Sequence, residues 1–370
     1  RGKRREKRSR KCIHEPLETQ LQINYLRKIS VLKFSAPKIR VRAGWLWRTM
    51  PWFSTFLAFP YELLIWNDQP MKSLWFPLCL SIWACLLSPL LLVRCSLAQE
   101  TAPKETFRPE MFKEQNLVAW CIVPFDSEKR GPEQRAQMLD QLGIKRLAYD
   151  YRAEHVASFE EEITTMKKHG IEFTAWWFPT VLNDEAKLIL SLIKKHQIHP
   201  QLWVTGGGDL SMNEEQTKAF IESEVRRIRE IALAAQDVDC KVALYNHGGW
   251  YGEPENQIRL IQAIGLPNVG IVYNLHHAHH QLDRLESILQ KIRPHLLAIN
   301  LNGMQTDGDR LGKKILPIGQ GNRDNEVLKL IGQLNFDGPV GILNHTDLDA
   351  KTRLKENLDG LNQLTKAIKP

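Results

Sequence analysis

The stretch CKVALYNHGGWYGEPENQIRLIQAIGLPNVGIVYNLHH, Cys240 to His277, contains an apolar run, a polar loop, an amphipathic segment and a second apolar run. VALY and VGIVY are almost continuous in apolar residues, as expected of strands covered on both faces. Between them, PENQIRLIQAI opens with a proline suited to a first helical turn. Its Ile and Leu residues follow spacings of three and four, which gives the helix one apolar face to lay on a sheet. Strand, helix and strand in this order read as a parallel crossover unit.

The unit recurs along the chain. From Asn116 onward the apolar runs are LVAWCIVPF, IKRLAYDY, IEFTAWWF, PQLWVTGG, CKVALYNH, VGIVYNLH, LLAINLN and VGILNH. Eight such runs alternating with helices, in about 250 residues, predict an α/β fold of the (β/α)8 TIM-barrel type over residues 116–366. An open doubly wound sheet is the competing architecture, but PFDSEKRG after the first run has no Gly-x-Gly-x-x-Gly turn. Helix boundaries are marked in the sequence. Ser158 with Glu161 predicts a capping box for EEITTMKKH, and Gly170 its end; Pro132 and Gly143 bracket PEQRAQMLDQL; Asn183 and Asn213 read as N-caps.

The formal charge of +8 hints at nucleic acid or membrane, but its distribution argues otherwise. Residues 1–70 carry about +10 and the remainder about −2, so the barrel itself has no basic surface to explain. No nucleic-acid partner is expected. Residues 71–98 have the layout of a secretory signal peptide: Lys72, an apolar run from Leu74 to Val93, and Ser96-Leu97-Ala98 before Gln99. The competing reading is a membrane anchor, since the run approaches the ~20 residues of a span; membrane contact is expected only if this segment stays uncleaved. Cleavage near Ala98 implies a secreted or periplasmic protein with a linker over 99–115. On that reading translation begins at Met71 and the basic, aromatic-rich stretch 1–70 is not translated; the alternative is a real basic arm with a membrane-associated segment. Only Cys121 and Cys240 follow the cleavage point, and both sit in apolar runs, the setting of buried thiols.

In a barrel of this type the site lies where the strands end and eight loops converge. Those ends supply Asp150 and Arg152, Trp177, His247, Trp250 and Glu253, Asn274, His276 and His277, Asn300 and Asn302, and His345. Aromatic faces beside amides and imidazoles suit a polyhydroxylated ligand, because sugar C–H faces stack while hydroxyls pair. A small-molecule carbohydrate is the expected partner.

At these ends the chain resembles the xylose isomerase-like TIM-barrel superfamily, which includes sugar-phosphate isomerases and epimerases and a metal-dependent endonuclease branch. The resemblance covers roughly 116–364 and rests on LYNHGGW, VYNLHH, ILPIGQGNRD and GPVGILNHT, in order and at the matching strands. It implies a divalent metal held by Glu, Asp, His and Glu on strands five to eight. The matching positions are Tyr245, Asn274, Asn300, and Leu343 or Asn344, so each expected carboxylate is replaced and the histidine has become Asn. His277 survives from the family's Asp-x-x-His pattern without its charged partner.

A hard cation wants anionic oxygens, but histidines alone can hold zinc. His247, His277 and His345 are therefore the expected ligands of any remaining zinc or manganese site, with Asp150 or Glu253 as a fourth. Without a metal, His247 and His277 are the candidate acid/base residues and Glu253 the reserve base. Asn274, His276, Asn300, Asn302, Gln320, Asp150, Arg152, Trp177, Trp250 and His345 are the candidate substrate contacts. Asp150 and Arg152 could also form an ion pair at the rim, and Glu253 a charge at a helix start. The segments TGGGD and Gly319-Gln320-Gly321 could present backbone N–H groups to a phosphate, but an exported enzyme is expected to meet an unphosphorylated sugar. The sequence thus supports an exported sugar isomerase or epimerase, against a non-catalytic sugar-binding barrel that lost its metal. A repair nuclease is disfavoured by the charge and the missing carboxylates.

Overall fold

The computed structural model describes residues 106–368; the stretch 1–70, the segment 71–98 read as a signal peptide and residues 99–105 lie outside them. Eight parallel strands close into a barrel in sequence order: β1 (Leu117–Trp120), β2 (Arg146–Tyr149), β3 (Glu172–Trp177), β4 (Gln201–Val204), β5 (Val242–Tyr245), β6 (Val269–Asn274), β7 (Leu296–Leu301) and β8 (Val340–Leu343). Closure is made by β1 against β8, with Val118 opposite Gly341 and Trp120 opposite Leu343. The helices around it are α1 (Pro132–Gln141), α2 (Phe159–Lys168), α3 (Asp184–His196), α4 (Glu214–Gln236), α5 (Pro254–Ile264), α6 (Leu285–Ile292), α7 (Asp324–Gly332) and α8 (Ala350–Ala367). This is the (β/α)8 TIM barrel expected. Among the described residues no helix is long and apolar enough to cross a membrane.

Most local signals act as read. Asn183 Oδ1 accepts from the Ala186 N–H and Asn213 Oδ1 from the Gln216 N–H, each satisfying a donor that a helix start leaves open. Gly143 and Gly170 follow α1 and α2 with φ of 71° and 63°. The Ser158 capping box does not form. Its hydroxyl donates to the His155 carbonyl, because a 3-10 turn over Ala153–Ser158 leads directly into α2. Packing also begins before β1, where Phe107, Met111 and Phe112 are buried and Arg108 reaches Asp337 at 2.7 Å.

The inside of the barrel is packed in an unusual proportion. Small residues at Ala148, Ala175, Ala243 and Ala298 make room for Trp120, Trp203 and Tyr245. The Trp120 and Trp203 rings meet edge-on at 4.7 Å, and both lie within 6.1 Å of the Tyr245 ring. Trp176 points the other way, edge-on to Phe159 and Tyr149 in the layer between barrel and helices. The aromatic residues therefore form a plug directly beneath the mouth.

Helix α8 closes the circle against the loop after β7. A Cβ added at Gly360 would run into the carbonyl of Ile318, which is backbone and cannot swing away. Helix propensity alone favours alanine by about 1 kcal/mol, whereas forced overpacking costs roughly 1–3 kcal/mol. Gly360→Ala is expected to lower stability in a denaturant titration; an increase would show that α8 does not seat on this loop.

Candidate functional site

The site is organised by Tyr245, the last residue of β5. The Asn274 Nδ2 of β6 donates to its phenol oxygen, and the Asn274 Oδ1 accepts from His276 Nδ1 at 3.0 Å. With Asn274 so oriented, His276 carries its hydrogen on Nδ1 and leaves Nε2 as an acceptor. Asn246 locks the two strand ends together: its Oδ1 accepts the Asn274 N–H at 2.7 Å and its Nδ2 donates to the Asn274 carbonyl at 3.1 Å. Trp177 lies edge-on to Tyr245 at 4.9 Å, and His277 at 5.8 Å. The family resemblance placed Tyr245 at a ligand position, but its organising role was hidden, because a tyrosine ending an apolar run reads equally well as core.

The histidines do gather. His276 and His277 have ring centroids 3.6 Å apart, His247 and His277 4.5 Å, and His276 and His345 5.3 Å. Burial, followed by the neighbouring imidazoles and Lys314, pushes His277 down to about 2 and His276 well below the ordinary imidazole range. These two rings are neutral near pH 7. In that neutral state they donate or accept hydrogen bonds.

Asp150, beyond the end of β2, behaves in the opposite way. Burial pushes its carboxyl up to about 7, only partly offset by Arg152 and the Val123 N–H. Its Oδ1 faces that N–H at 3.4 Å, and its Oδ2 has no partner. The rim ion pair with Arg152 does not form: Arg152 is exposed, donates to the Tyr151 carbonyl and lies over the Phe125 ring at 5.2 Å. Beside Asp150 stands Cys121, whose Sγ is 3.9 Å from His345 Nδ1. His345 in turn stacks on Phe125 at 4.0 Å.

On β7, Asn300 is fully buried with both amide atoms unpartnered. Asn302 donates to the Gly303 and Lys314 carbonyls at 3.0 Å each and leaves its Oδ1 unpartnered. Buried polar atoms are nearly always satisfied, so these atoms mark places where a ligand or water belongs.

Several expected members fall elsewhere. Glu253 is held by Arg284, by His280 at 2.9 Å and by Gln281 at 3.2 Å. Burial works to raise its carboxyl, but those partners outweigh it and hold it below the usual range, so it is a helix-start charge in an ion pair and not a reserve base. Trp250 is buried edge-on to Phe220 of α4 at 5.2 Å, because the left-handed Gly248 and Gly249 turn it onto the helix layer rather than over the mouth. Gln320 stays exposed in a turn packed on Gly360. His280 is exposed, whereas His279 is buried between the carbonyls of Gln305 and Lys314, at 3.1 and 2.9 Å, and fastens the loop after β7. The phosphate reading of Gly319 and Gly321 also fails, since both N–H groups already donate to Asp324 Oδ2.

The donor set does not fit the metal the family implies. A phenol held protonated by burial, two carboxamides and the hydrocarbon Leu343 stand where anionic oxygens would be needed. Nor do His247, His277 and His345 replace them: among the described residues no group of three or more His, Cys, Asp or Glu is arranged to hold an ion. His276 intrudes between them, and its Nδ1 is committed to Asn274.

The comparisons agree with this fold. The profile of the xylose isomerase-like TIM barrel family matches residues 143–364, and the chain belongs to that family. No curated protein matches it in sequence. Among solved structures it is similar to the IOLI protein with a bound zinc atom (TM-score 0.54, 14% identity, 68% of this chain and 99% of that one). It is similar also to the probable 3-DHS dehydratase AsbF of Bacillus anthracis (0.52, 15%, 67% and 98%). A third is 3-keto-D-glucoside 4-epimerase of E. coli (0.50, 14%, 68% and 99%). At these identities the likeness is one of fold.

Two outcomes follow from the electrostatics. Chelation with EDTA is expected to leave the Tm unchanged; a fall reversed by zinc or manganese would show that the donor set was misjudged. The second concerns Asp150, which is protonated in folded and unfolded chains alike below about pH 4. From there to about 7 the folded chain keeps a proton that the unfolded chain has released, so stability is lost as pH rises through that window. The cost at pH 8 is on the order of 4 kcal/mol. Asp150→Asn is therefore expected to raise the Tm relative to the parent at pH 8 but not at pH 4; an equal effect at both would place the carboxyl in a solvated setting.

Proposed function

We propose that this chain binds a sugar or sugar derivative at the C-terminal mouth of the barrel without a divalent cation, and moves a proton next to the sugar's carbonyl, as an isomerase or epimerase does. The observation that carries this reading is the set of unsatisfied, buried polar atoms on Asp150, Asn300 and Asn302, on the same set of strand ends as the Trp177 and Tyr245 rings. Hydroxyls would satisfy the amides and the carboxyl while the sugar's C–H face stacks on an aromatic ring. Asp150, poised near neutrality, is the proton acceptor. The neutral His277 supplies an N–H to the oxygen that gains charge as the enediolate forms; a neutral imidazole is a suitable electrophile for that task. His247 stands against His277 at the solvent side, and the Asn300 amide orients a hydroxyl.

The signal-like segment 71–98 supports export as part of the same proposal, with the sugar then met in an unphosphorylated form. Amino-terminal sequencing of secreted protein tests it: a mature chain starting near Gln99 is the expected result. The second reading, a binding barrel without turnover, is favoured by the hydrocarbon Leu343 at a position where the family carries a carboxylate.

The experiment is proton NMR in D2O with EDTA present, using D-tagatose, D-psicose and D-fructose as probes. Binding with exchange of a carbon-bound proton is expected, and Asp150→Asn should retain binding while exchange falls by about 10²-fold or more. Binding with no exchange in either protein would establish the binding barrel. No binding of any ketose or aldose would remove the carbohydrate reading.

A further inference from the structure

In the loop between β7 and α7, two side chains meet on one backbone carbonyl. The oxygen of Lys314 has two lone pairs, and both are used. It accepts from His279 Nε2 at 2.9 Å and from Asn302 Nδ2 at 3.0 Å. The rest of the loop is fitted around these contacts. The Gly303 N–H donates to the Leu316 carbonyl at 2.8 Å, and Ile315 packs against the aromatic cluster inside the barrel. A Cβ added at Gly308 would lie 2.6 Å from the His279 ring, so this glycine lets the loop close on the imidazole.

The same network fixes which way the Asn302 carboxamide points. Both hydrogens of its Nδ2 are taken, one by the Gly303 carbonyl and one by that of Lys314, at 3.0 Å each. Turning the amide over would set its oxygen against two carbonyl oxygens, which have no hydrogen to offer. Oδ1 is therefore a buried acceptor of fixed orientation, and it has no partner. Asn300, two residues earlier, differs. Both of its amide atoms are open, so it can give or take a hydrogen bond. A ketone, carboxylate or phosphate oxygen could satisfy Asn300 but not Asn302.

We infer that Asn302 is a specificity-determining residue that demands a hydrogen-bond donor, a hydroxyl or amino group, from the sugar, and that His279 is a positioning residue acting on it through the Lys314 carbonyl. The inference deepens the proposed function and rests on its reading that a sugar meets Asn302. A sugar that lacks this hydroxyl, or carries a carbonyl in its place, leaves a buried acceptor unpaired. Sites built to bond a hydroxyl reject such analogues more sharply than apolar pockets reject a missing methylene. His279 commits its ring to the loop carbonyls, and its effect on the ligand passes through the direction of the Asn302 amide.

The positioning is read by NMR on isotopically labelled protein without any ligand. The Asn302 side-chain amide, assigned by its loss in Asn302→Ala, is expected to exchange slowly in D2O because both hydrogens are bonded. His279→Phe, which keeps a ring against Gly308 but offers no donor, should shift that resonance and speed its exchange about 10-fold. His279→Gln, which offers an N–H in place of Nε2, should restore both. An Asn302 amide unmoved by His279→Phe would overturn the positioning.

Specificity is read with whichever of D-tagatose, D-psicose and D-fructose binds, through its singly deoxygenated and deoxyfluorinated analogues in calorimetric titrations. At the hydroxyl that meets Asn302, both analogues should bind about 10-fold or more weakly than the parent sugar, since fluorine supplies no hydrogen. Asn302→Ala should abolish that penalty; His279→Phe should reduce it and His279→Gln should keep it. Should Asn302→Ala fail to fold, the two His279 variants decide. If no position is penalised in the parent protein, or every penalty survives Asn302→Ala and His279→Phe, the donor requirement is overturned and an internal water meets Oδ1. If no sugar binds but the amide results hold, the positioning stands and the carbohydrate reading falls.

Discussion

The hydrogen bond from Asn274 to the phenol of Tyr245 is the interaction on which the mouth of this barrel depends. It joins two neutral groups at positions where the family resemblance implies a metal held by carboxylates. Neutrality there has structural consequences. An aromatic ring can be packed against Trp120, Trp177 and Trp203, which a hydrated ion and its ligands would not allow. The four interior alanines that accommodate those rings make sense only with the plug in place. Without a carboxylate on β5 or β6 the adjacent imidazoles have nothing to stabilise a positive charge, and burial then keeps His276 and His277 neutral.

The same logic divides the mouth into two walls. On the β5–β6 side stand His276 and His277, held neutral by burial, and the amides that bond with them. On the β8–β1–β2 side stands Asp150, whose neighbouring cation Arg152 leans out over Phe125. Burial acts on both walls, and in each case it disfavours the charged form. For imidazole this removes the proton and for carboxyl it retains it. A ligand between them would meet donors and acceptors of fixed state on one side and a group able to change state near neutrality on the other. That is the difference in environment by which enclosed sites separate an electrophile from a base.

Much of the fold was legible because its signals are local. Pro254, Asn183 and Asn213 fix helix starts through atoms within a few residues, and the eight apolar runs announce strands covered on both sides. The family resemblance located the strand ends for the same reason, since motif and strand end coincide. What the sequence did not reveal depends on partners far along the chain. Glu253 reads as a possible base until Arg284 and His280, from the turn before α6, claim its carboxylate. Trp176 and Trp177 differ by one position, and pleat parity alone decides that the second faces the mouth. Trp250 reads as a substrate contact from its place after β5, whereas the positive φ of Gly248 and Gly249 directs it onto Phe220.

Cys121 shows the same limit from the other direction. Alternation along LVAWCIV puts Trp120 inside the barrel and Cys121 outside, so the sequence reads it as an inert core thiol. A single left-handed residue reverses that reading, and only the three-dimensional path of the chain reveals it. Non-glycine residues in that region persist where surrounding structure holds them, and such positions concentrate at working sites. Here the neighbours that hold it are fixed by strong contacts of their own: Asn344 donates to the Phe125 carbonyl, and its N–H donates to the Trp120 carbonyl at 3.0 Å. The backbone before and after Cys121 is therefore tied to the end of β8. The bend is maintained by the closure of the barrel, and the thiol stays beside His345 as long as the barrel is closed.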